Sequence, residues 1–406
     1  MERMVKDLDI LDHSFIPKHL PGRENELVEL NKLLKYCNQV SRHINLQGKS
    51  GTGKTATVNK VCKDLLPDLK KKNVKIDYFY VNCKDKKTKF DSLKTICKQM
   101  CNGNKVPNTW SQLYDLFIEK IKNFDAIIVF LDEIDALAKR GEDELDILYT
   151  LSRLKAHGYT NCNISVVIAT NKVDFVMNLD SGIKSSFRTT SLLYKPYTTD
   201  ILQKILEDRA QMALHSGVLN DDVIPLCSAF AAQEHGDARK AIDLLRTSVE
   251  VALDSDSKKV TIKHVKDARV RIEEDKTSEL ISYLPMQHKI ILLSVLNIAK
   301  KRIRKPSFNN NKATTGDIYA QYLSLSKQIR IEATTQRWVS GILSEMDGLG
   351  LLNVDVVSKG RYGRTKFISV PMPLETLEKA LAKDLELGEL MSKTEPVQSL
   401  ELFGVN

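Results

Sequence analysis

The octapeptide Gly48-Lys-Ser-Gly-Thr-Gly-Lys-Thr55 decides the fold of this 406-residue chain. It fits G-x-x-x-x-G-K-[ST], the loop whose backbone N–H groups hold nucleotide phosphates. The preceding residues 42–47 are typical of a strand, and residues 56–66 carry apolar side chains at helical spacing. Strand, loop and helix in this order form the context that the motif requires. The sequence therefore predicts a nucleoside triphosphate site.

A parallel sheet is predicted around this loop. Between residue 15 and about residue 195, short apolar runs alternate with helical patterns. The expected strands are residues 43–47, 77–82, 126–132, 164–170 and 191–194. This alternation predicts a parallel five-stranded α/β sheet with helices on both faces.

An all-helical lid is predicted next, up to about residue 271. Residue types that favour helix N-caps precede each helical pattern. They are Thr198 or Thr199, Asn220 or Asp221, Asp237 and Thr261.

The C-terminal part has a different pattern, with three helices followed by two strands. The helices are 286–299, a second opened by Thr314-Thr-Gly-Asp317, and a third capped by Thr334 or Thr335. The strands, 351–358 and 365–370, are joined by a loop over 359–364. This order predicts a winged helix-turn-helix.

The expected divisions of the whole chain are a polar leader (1–14), a nucleotide-binding base (15–195), the lid (196–275), the winged helix (276–372) and a C-terminal helix with a tail (373–406).

The positive charge lies in the predicted winged helix. Residues 276–372 contain nine Lys and six Arg against six Asp and Glu, a net +9 that equals the net charge of the whole chain. Such a block favours an acidic polymer as partner, although an ordinary solvated face is an equal alternative on charge alone.

Cysteine usage and hydropathy indicate the compartment. The seven cysteines are scattered without a C-x-x-C pair, which favours buried, reduced thiols over a metal site. No run of eighteen apolar residues predicts a membrane helix, and the N-terminus has no signal-peptide pattern. We therefore expect a cytoplasmic protein, associated with the nucleoid, with no membrane partner.

The chemistry of a phosphate site assigns further residues. Lys54 is expected to reach the β- and γ-phosphates of ATP or ADP, and Thr55 to hold Mg²⁺. The apolar run 126–131 ends in Asp132-Glu133. Asp132 would hold the metal and Glu133 would orient or deprotonate the attacking water. The alternative is that both are solvated residues at the end of a strand.

Two polar residues complete the predicted site. Asn171 directly follows strand 164–170, at the sheet edge where ligands of open α/β sheets bind. Arg239 begins a lid helix and could bridge to the γ-phosphate, so that closure of the lid would depend on the nucleotide. Taken alone, Asn171 reads as a turn residue and Arg239 as a surface charge.

The chain resembles the AAA+ replication initiators of archaea, relatives of the largest eukaryotic origin-recognition subunit and of the eukaryotic helicase-loading factor. The resemblance covers roughly residues 15–375. The segments that carry it are 15–24 (F-I-P-K-H-L-P-G-R-E), the phosphate loop, 80–83 (Y-V-N-C), 131–135 (L-D-E-I-D), 169–171 (A-T-N), 195–197 (K-P-Y) and 236–243 (G-D-A-R-K-A-I-D).

The resemblance implies an AAA+ module followed by a winged helix, and a role for each matching residue. Glu133, Asn171 and Arg239 become the catalytic set, with Asn171 as sensor 1 and Arg239 as sensor 2. Thr55 and Asp132 become the metal ligands. The implied nucleotide-binding residues are Gly48, Lys49, Ser50, Gly51, Thr52, Gly53, Lys54, Thr55, Ala56, Ile16, Arg23, Tyr197, Arg209 and Arg239.

One position departs from the family pattern. Many relatives carry Ser-Ser-Leu or Ser-Arg-Leu, the latter with a trans-acting arginine, where this chain has Ser185-Ser-Phe-Arg188. The matching place is Ser186, and Arg188 is displaced by two residues. This departure argues against hydrolysis completed by a neighbouring subunit.

DNA-facing residues are expected on the second helix of the winged motif and at the wing, because these elements reach the grooves in that fold. They are Thr335, Gln336, Arg337, Lys359, Arg361, Arg364 and Lys366. Trp338, Ile342 and Leu343 are expected to pack inward as core. Residues 300–305 are expected to add non-specific phosphate contacts.

Three functions fit these features. The favoured one is an ATP-switched initiator with slow hydrolysis that binds double-stranded origin DNA, self-associates there and helps to load the replicative helicase. The first alternative is a regulatory or signalling ATPase whose winged helix acts in transcription or in the control of initiation. The second is a remodeller of the clamp-loader type.

Overall fold

The computed structural model describes residues 4–304, 313–358 and 364–383. It divides into two compact units, the first ending at Lys266 and the second beginning at Asp267. The first unit contains the sheet and the lid, and the second contains the winged helix.

The first unit is built on a parallel five-stranded sheet in the order β2-β3-β4-β1-β5. Its strands are β1 (His43–Gln47), β2 (Ile76–Asn82), β3 (Ala126–Asp132), β4 (Asn163–Thr170) and β5 (Thr189–Leu193). Its helices are α1 (Glu24–Leu34), α2 (Lys54–Lys71), α3 (Lys89–Met100), α4 (Trp110–Ile121), α5 (Asp135–Ala138), α6 (Asp146–Arg153), α7 (Ser181–Ser186), α8 (Thr199–Ala213), α9 (Val223–Gln233) and α10 (Ala238–Asp254). Short 3₁₀ turns lie at Leu8–Leu11, Glu142–Leu145 and Val176–Asn178.

The two central strands explain why this region reads as apolar runs. Every residue of β3 and of β4 is buried, because helices cover both faces of the sheet. One apolar cluster packs α3, α4 and α6 against one face, and a second packs α1 and α2 against the other. The predicted α/β sheet is confirmed, and its predicted strands agree with the observed ones to within two residues.

The lid helices begin close to the predicted caps. Thr198 precedes α8, and Asp222 precedes α9, one or two residues later than expected. Asp237 caps α10, since its side chain accepts a hydrogen bond from the Arg239 N–H at 2.9 Å. This cap fixes the start of α10, and thereby the place of Arg239.

The leader is more ordered than its polar composition indicates. The Leu8–Leu11 turn buries Leu11 completely, and Met4 is also buried. Val5 forms an antiparallel bridge with Leu214, directly after α8. The segment that we expected to be only a polar leader therefore belongs to the lid.

The free edge of β2 is occupied by a side chain. Gln99 of α3 donates from Nε2 to the Tyr80 carbonyl at 2.7 Å and accepts from the Tyr80 N–H at 3.2 Å. One carboxamide thus satisfies both outward-facing backbone groups of Tyr80.

The second unit is a winged helix-turn-helix. Its helices are α12 (Met286–Arg304), α13 (Thr315–Gln328), α14 (Gln336–Gly348) and α15 (Leu374–Lys383), and its strands are β6 (Ala313–Thr314), β7 (Asn353–Ser358) and β8 (Arg364–Ser369). The strands form an antiparallel sheet in the order β6-β8-β7. Thr314 and Asp317 form a capping box at the start of α13, and Thr335 caps α14.

Two predicted boundaries concern helices. Helix α11 (Ile262–Ser282) runs across the expected division between residues 275 and 276. The C-terminal helix is described to Lys383, and the rest of its predicted length, to residue 390, lies outside the described residues. In the described ranges, no helix is both long and apolar enough to cross a membrane.

Candidate functional site

The strand order brings the predicted phosphate-site residues to one edge of the sheet. Strands β3, β4 and β1 are neighbours, and their carboxyl ends carry Asp132, Asn171 and the phosphate loop. A cavity of about 470 Å³ opens there. Its lining includes Ile16, Gly51, Thr52, Gly53, Lys54, Thr55, Ala56, Asp132, Glu133, Asn171, Tyr197, Arg209 and Arg239.

Lys54 lies at the start of α2 with its ammonium over the loop. Its Nζ donates to the carbonyls of Gly48 at 2.5 Å and Lys49 at 2.8 Å, and to Asn171 Oδ1 at 3.1 Å. Burial lowers the pKa of Lys54 to about 8, against the opposing effect of Asp132. A buried cation held by neutral oxygens is placed to bind an anion, because an anionic ligand would restore the interactions that burial removes.

Thr55 and Asp132 form an oxygen pair beside this cation. Thr55 Oγ1 donates to Asp132 Oδ2 at 2.6 Å, and the Tyr80 hydroxyl donates to the same oxygen at 3.3 Å. A hydroxyl and a carboxylate are ligands that Mg²⁺ accepts when phosphate oxygens and waters supply the rest of its shell. The residues present therefore fit the predicted metal.

Glu133 follows in a left-handed backbone conformation, with φ at +53°. Its N–H donates to Asp132 Oδ1 at 3.0 Å, which ties the turn to the end of β3. Asp135 Oδ1 accepts from the Asn171 N–H at 3.1 Å and joins the ends of β3 and β4. Glu133 lines the cavity, as does Asn82 at the end of β2.

The N-terminal end of α10 lies against the phosphate loop. Arg239 Nη2 donates to Ser50 Oγ at 3.0 Å, and the Ala238 N–H donates to the Gly51 carbonyl at 3.2 Å. A Cβ on Gly51 would overlap the carboxylate of Asp237, and one on Gly53 would overlap the Tyr197 hydroxyl. Glycine at both places allows the lid and the loop to approach this closely.

Arg209 lines the cavity but uses its guanidinium to hold the leader. Nη1 donates to the carbonyls of Ile10 at 2.5 Å and Asp12 at 3.1 Å, and Nη2 donates to that of Phe15 at 2.7 Å. Burial lowers the pKa of Arg209 to about 10. In this geometry Arg209 shapes the wall that continues into Ile16, rather than offering its charge to a ligand.

Arg23, which was expected to contact the nucleotide, lies behind the phosphate loop and is not among the residues that line the cavity. It is only 4% exposed. Its Nε donates to the Thr52 carbonyl at 2.9 Å, Nη1 to Glu26 at 2.9 Å and Nη2 to the Lys195 carbonyl at 2.5 Å. The guanidinium also stacks 4.1 Å from the centre of the Tyr197 ring. Arg23 thus joins the loop to the segment that connects β5 with the lid.

Of the other loop residues, Gly48, Lys49 and Ser50 stand outside the cavity lining. Gly48 and Lys49 contribute carbonyls to Lys54, and Ser50 accepts from Arg239.

The hydrogen bond from the Tyr80 hydroxyl to Asp132 was not expected from the sequence. The position of Tyr80 near the end of β2, the strand beside β3, could have indicated it.

Helix α14 of the second unit carries the predicted recognition residues. Thr335 caps the helix, and Gln336 and Arg337 are exposed on its first turn. Val339, Ile342 and Leu343 are buried on the opposite side. The expected separation of a core face from an exposed face is present, except at Trp338. Trp338 was expected in the core but is 42% exposed, with its ring edge-on to His288.

The other cations that were expected to face DNA are Lys366, those within residues 359–364 and those within residues 300–305. Lys366 donates to the Ser340 carbonyl and to Ser344 Oγ, both at 2.7 Å, so it braces β8 against α14. Lys359 and Arg361 lie outside the described residues, as does the side chain of Arg364. Within 300–305, Lys300 pairs with Glu378, Lys301 bonds Gln321 and Arg302 bonds Asp317, so these three are engaged within the unit.

Three consecutive parts of the chain match models of known protein families. Residues 44–196 match the model of the ATPase family associated with various cellular activities (AAA), residues 203–270 the Cdc6 AAA+ ATPase-type lid domain, and residues 279–380 the CDC6 C-terminal winged helix domain. The ORC1-type DNA replication protein 1 of Sulfurisphaera tokodaii is 37% identical over 399 residues, covering 96% of each chain. The chain belongs to the family of ORC1-type DNA replication proteins.

Further ORC1-type relatives support the assignment. The ORC1-type DNA replication protein 1 of Archaeoglobus fulgidus is 38% identical over 393 residues, covering 95% of this chain and 93% of its own. The solved structure of the Aeropyrum pernix ORC1 protein in complex with DNA is 35% identical, with a TM-score of 0.76, over 96% of this chain and 99% of its own. The expected family of AAA+ replication initiators and the expected winged helix are thereby confirmed.

Proposed function

We propose that this protein is an ATP-switched initiator that binds double-stranded origin DNA through its winged helix and hydrolyses ATP slowly. The observation that carries the proposal is the cavity at the sheet edge, where Lys54, Thr55 and Asp132 meet Arg239 from the lid. Self-association on DNA and loading of the replicative helicase complete the proposal and rest on family membership.

Phosphate binding is supported by the groups already in place. Lys54 would exchange its bonds to neutral oxygens for phosphate oxygens, and the start of α2 would add backbone N–H groups. Arg239 would exchange Ser50 for the γ-phosphate, which would hold the lid in an ATP-dependent position. Mg²⁺, held by Thr55 and Asp132, would supply positive charge against the phosphates.

Slow hydrolysis is supported by the groups around the cavity. Glu133 faces it and could orient a water molecule, with Asn171 beside Lys54 as a second polar group. Ser186, at the place of the trans arginine, bonds to the carbonyls of its own helix. ATP would then act mainly through the conformation that it stabilises.

DNA binding is supported by the exposed first turn of α14 and by the +9 charge of the surrounding block. The Aeropyrum pernix relative was solved in complex with DNA. The alternative, a regulatory ATPase acting at promoters, keeps the same two units and differs in the DNA sites that it occupies.

Footprinting of the purified protein on its own genomic DNA, with ATP and with ADP, tests both the binding of origin DNA and its dependence on the nucleotide. Protection of discrete sites near a replication start, changed by the nucleotide, is the expected result. Protection at promoters would favour the regulatory ATPase. The Lys54→Ala variant should lose ATP affinity by about tenfold to a hundredfold, the effect of removing a charged hydrogen-bond donor.

The matched control is Lys63→Ala, because Lys63 is an exposed lysine of α2 that does not line the cavity. It should bind ATP as the wild type does. DNA protection that is unaffected by nucleotide in the wild type and unchanged in Lys54→Ala would refute the switch.

A further inference from the structure

We infer that Trp338 is a base-contacting residue that reads thymine in the major groove through the 5-methyl group. The inference rests on the proposed function, since it concerns how α14 meets DNA. It makes Trp338 a determinant of sequence preference, in addition to the predicted polar residues Gln336 and Arg337.

The position of Trp338 on α14 carries the first part of the argument. The buried side of the helix is formed by Val339, Ile342, Leu343 and Met346, whereas the indole of Trp338 lies outside this side and is 42% exposed. Trp338 lies in the first turn, next to the exposed Arg337. In helix-turn-helix proteins the N-terminal residues of the second helix are the ones that reach base edges.

The indole is also held in place. Its ring meets the ring of His288 at 83° with 5.9 Å between their centres, and His288 Nε2 lies 3.2 Å from Glu345 Oε2. His288 is itself buried. An isolated exposed aromatic residue is common on protein surfaces, but here a buried ring packs against the indole, which stays 42% exposed.

The surrounding surface suits close approach to a groove. Gly341, one turn after Arg337, is exposed and has open space where a Cβ would stand. A glycine inside a helix costs about 1 kcal/mol relative to alanine. Its presence on this face therefore favours a role in which the missing side chain lets another molecule come close to the helix. Beyond it, Lys366 bonds to Ser340 and Ser344 and fixes the flank of the helix.

The chemistry of the groove selects the ligand group. Among the four base-pair edges, only thymine presents a methyl group in the major groove, and it is read by apolar contact. An indole beside Arg337 therefore combines an apolar surface for thymine with a donor for guanine. Trp338 can discriminate thymine from uracil, which differs by that one methyl group.

The test uses the full-length protein and two 40-bp duplexes, each with a core of alternating A·T pairs and G·C clamps at both ends. One duplex contains thymine throughout its core and the other contains uracil. We expect the wild type to bind the thymine duplex about fourfold more tightly, as burial of one methyl group predicts. Trp338→Ala should have a thymine-to-uracil affinity ratio about fourfold lower than that of the wild type, and Trp338→Phe should retain part of the preference.

Each outcome decides a separate question. Equal thymine-to-uracil ratios for the wild type and Trp338→Ala would overturn the inference, because any effect of the methyl on DNA itself appears in both. Failure of the wild type to bind either duplex, or any genomic fragment, would refute the proposed DNA binding as well. Thermal unfolding of Trp338→Phe and Trp338→Ala checks that the winged helix stays folded.

Discussion

Gly51 and Gly103 have similar left-handed backbones, with φ at +73° and +82°, but very different surroundings. A Cβ on Gly51 would overlap Asp237 at the start of α10, whereas a Cβ on Gly103 would meet nothing within 4 Å. The pair therefore separates the cost of backbone conformation from the cost of displacing the lid.

Alanine at either position should cost about 1–2 kcal/mol of unfolding free energy for the left-handed backbone. Only Gly51→Ala should also weaken ATP binding, because the Asp237 carboxylate and the start of α10 must move away from the phosphate loop. Equilibrium ATP binding and thermal unfolding of both variants measure the two effects. An equal loss of ATP affinity in Gly103→Ala would contradict the role of the close contact.

His43 makes the first unit sensitive to acid. Its ring packs 4.9 Å from that of Phe187, and its Nδ1 is buried with no hydrogen-bond partner within the described ranges. Burial lowers the pKa of His43 from 6.5 to about 4. Protonation therefore favours the unfolded state, and the stability present above pH 6.5 is lost as the pH falls toward 4.

Between pH 7.5 and pH 5 this difference should remove about 2 kcal/mol from the free energy of unfolding. His43→Phe keeps the aromatic contact without the titration, so its stability should fall less over the same range. Denaturant unfolding at several pH values gives both slopes. Identical slopes for wild type and variant would show that His43 does not titrate in this way.

At the scale of elements, Arg23 joins three parts of the first unit. The phosphate loop, helix α1 and the connection from β5 to the lid each supply one acceptor, at Thr52, Glu26 and Lys195. A lysine at this place could not span all three acceptors or stack on Tyr197, since its ammonium is a single point on a flexible stem.

We expect Arg23→Lys to lower the free energy of unfolding by about 1.5–3 kcal/mol, the range for a lost hydrogen bond to a charged group. ATP affinity should fall with it, because the Thr52 carbonyl would lose its anchor. Arg140→Lys, at an exposed position, is the matched control and should change neither quantity. Calorimetry of both variants with and without ATP provides the measurement.

At this scale, the features that could be predicted from the sequence are those formed by residues close together in the chain. Strands β3 and β4, the cap at Asp237 and the capping box at Thr314 follow from neighbouring residues, and each was found close to its predicted place. The long-range contacts of Arg23 and Arg209 were not predictable, because they are made with backbone carbonyls up to 172 and 199 positions away, respectively. Carbonyls carry no side-chain signature. Trp338 was misplaced because its helical position lies at the border of the apolar face.

At the scale of the whole molecule, the two units have separate apolar cores. A ligand stabilises the unit that binds it, by about 2.7 kcal/mol at a concentration one hundred times its dissociation constant. We therefore expect two calorimetric transitions, with ATP and Mg²⁺ raising one and duplex DNA raising the other. Lys54→Ala should lose only the ATP shift. A single transition raised equally by either ligand would contradict independent unfolding.

The Gln99 carboxamide has a consequence for molecules gathered side by side. An open strand edge is a template on which a second chain can add a strand, and long unprotected edges lead to aggregation. In this protein the amide of Gln99 fills the hydrogen-bonding positions of Tyr80 on the β2 edge. We therefore expect Gln99 to reduce the tendency of neighbouring copies to pair through this edge where, as proposed, they gather on DNA.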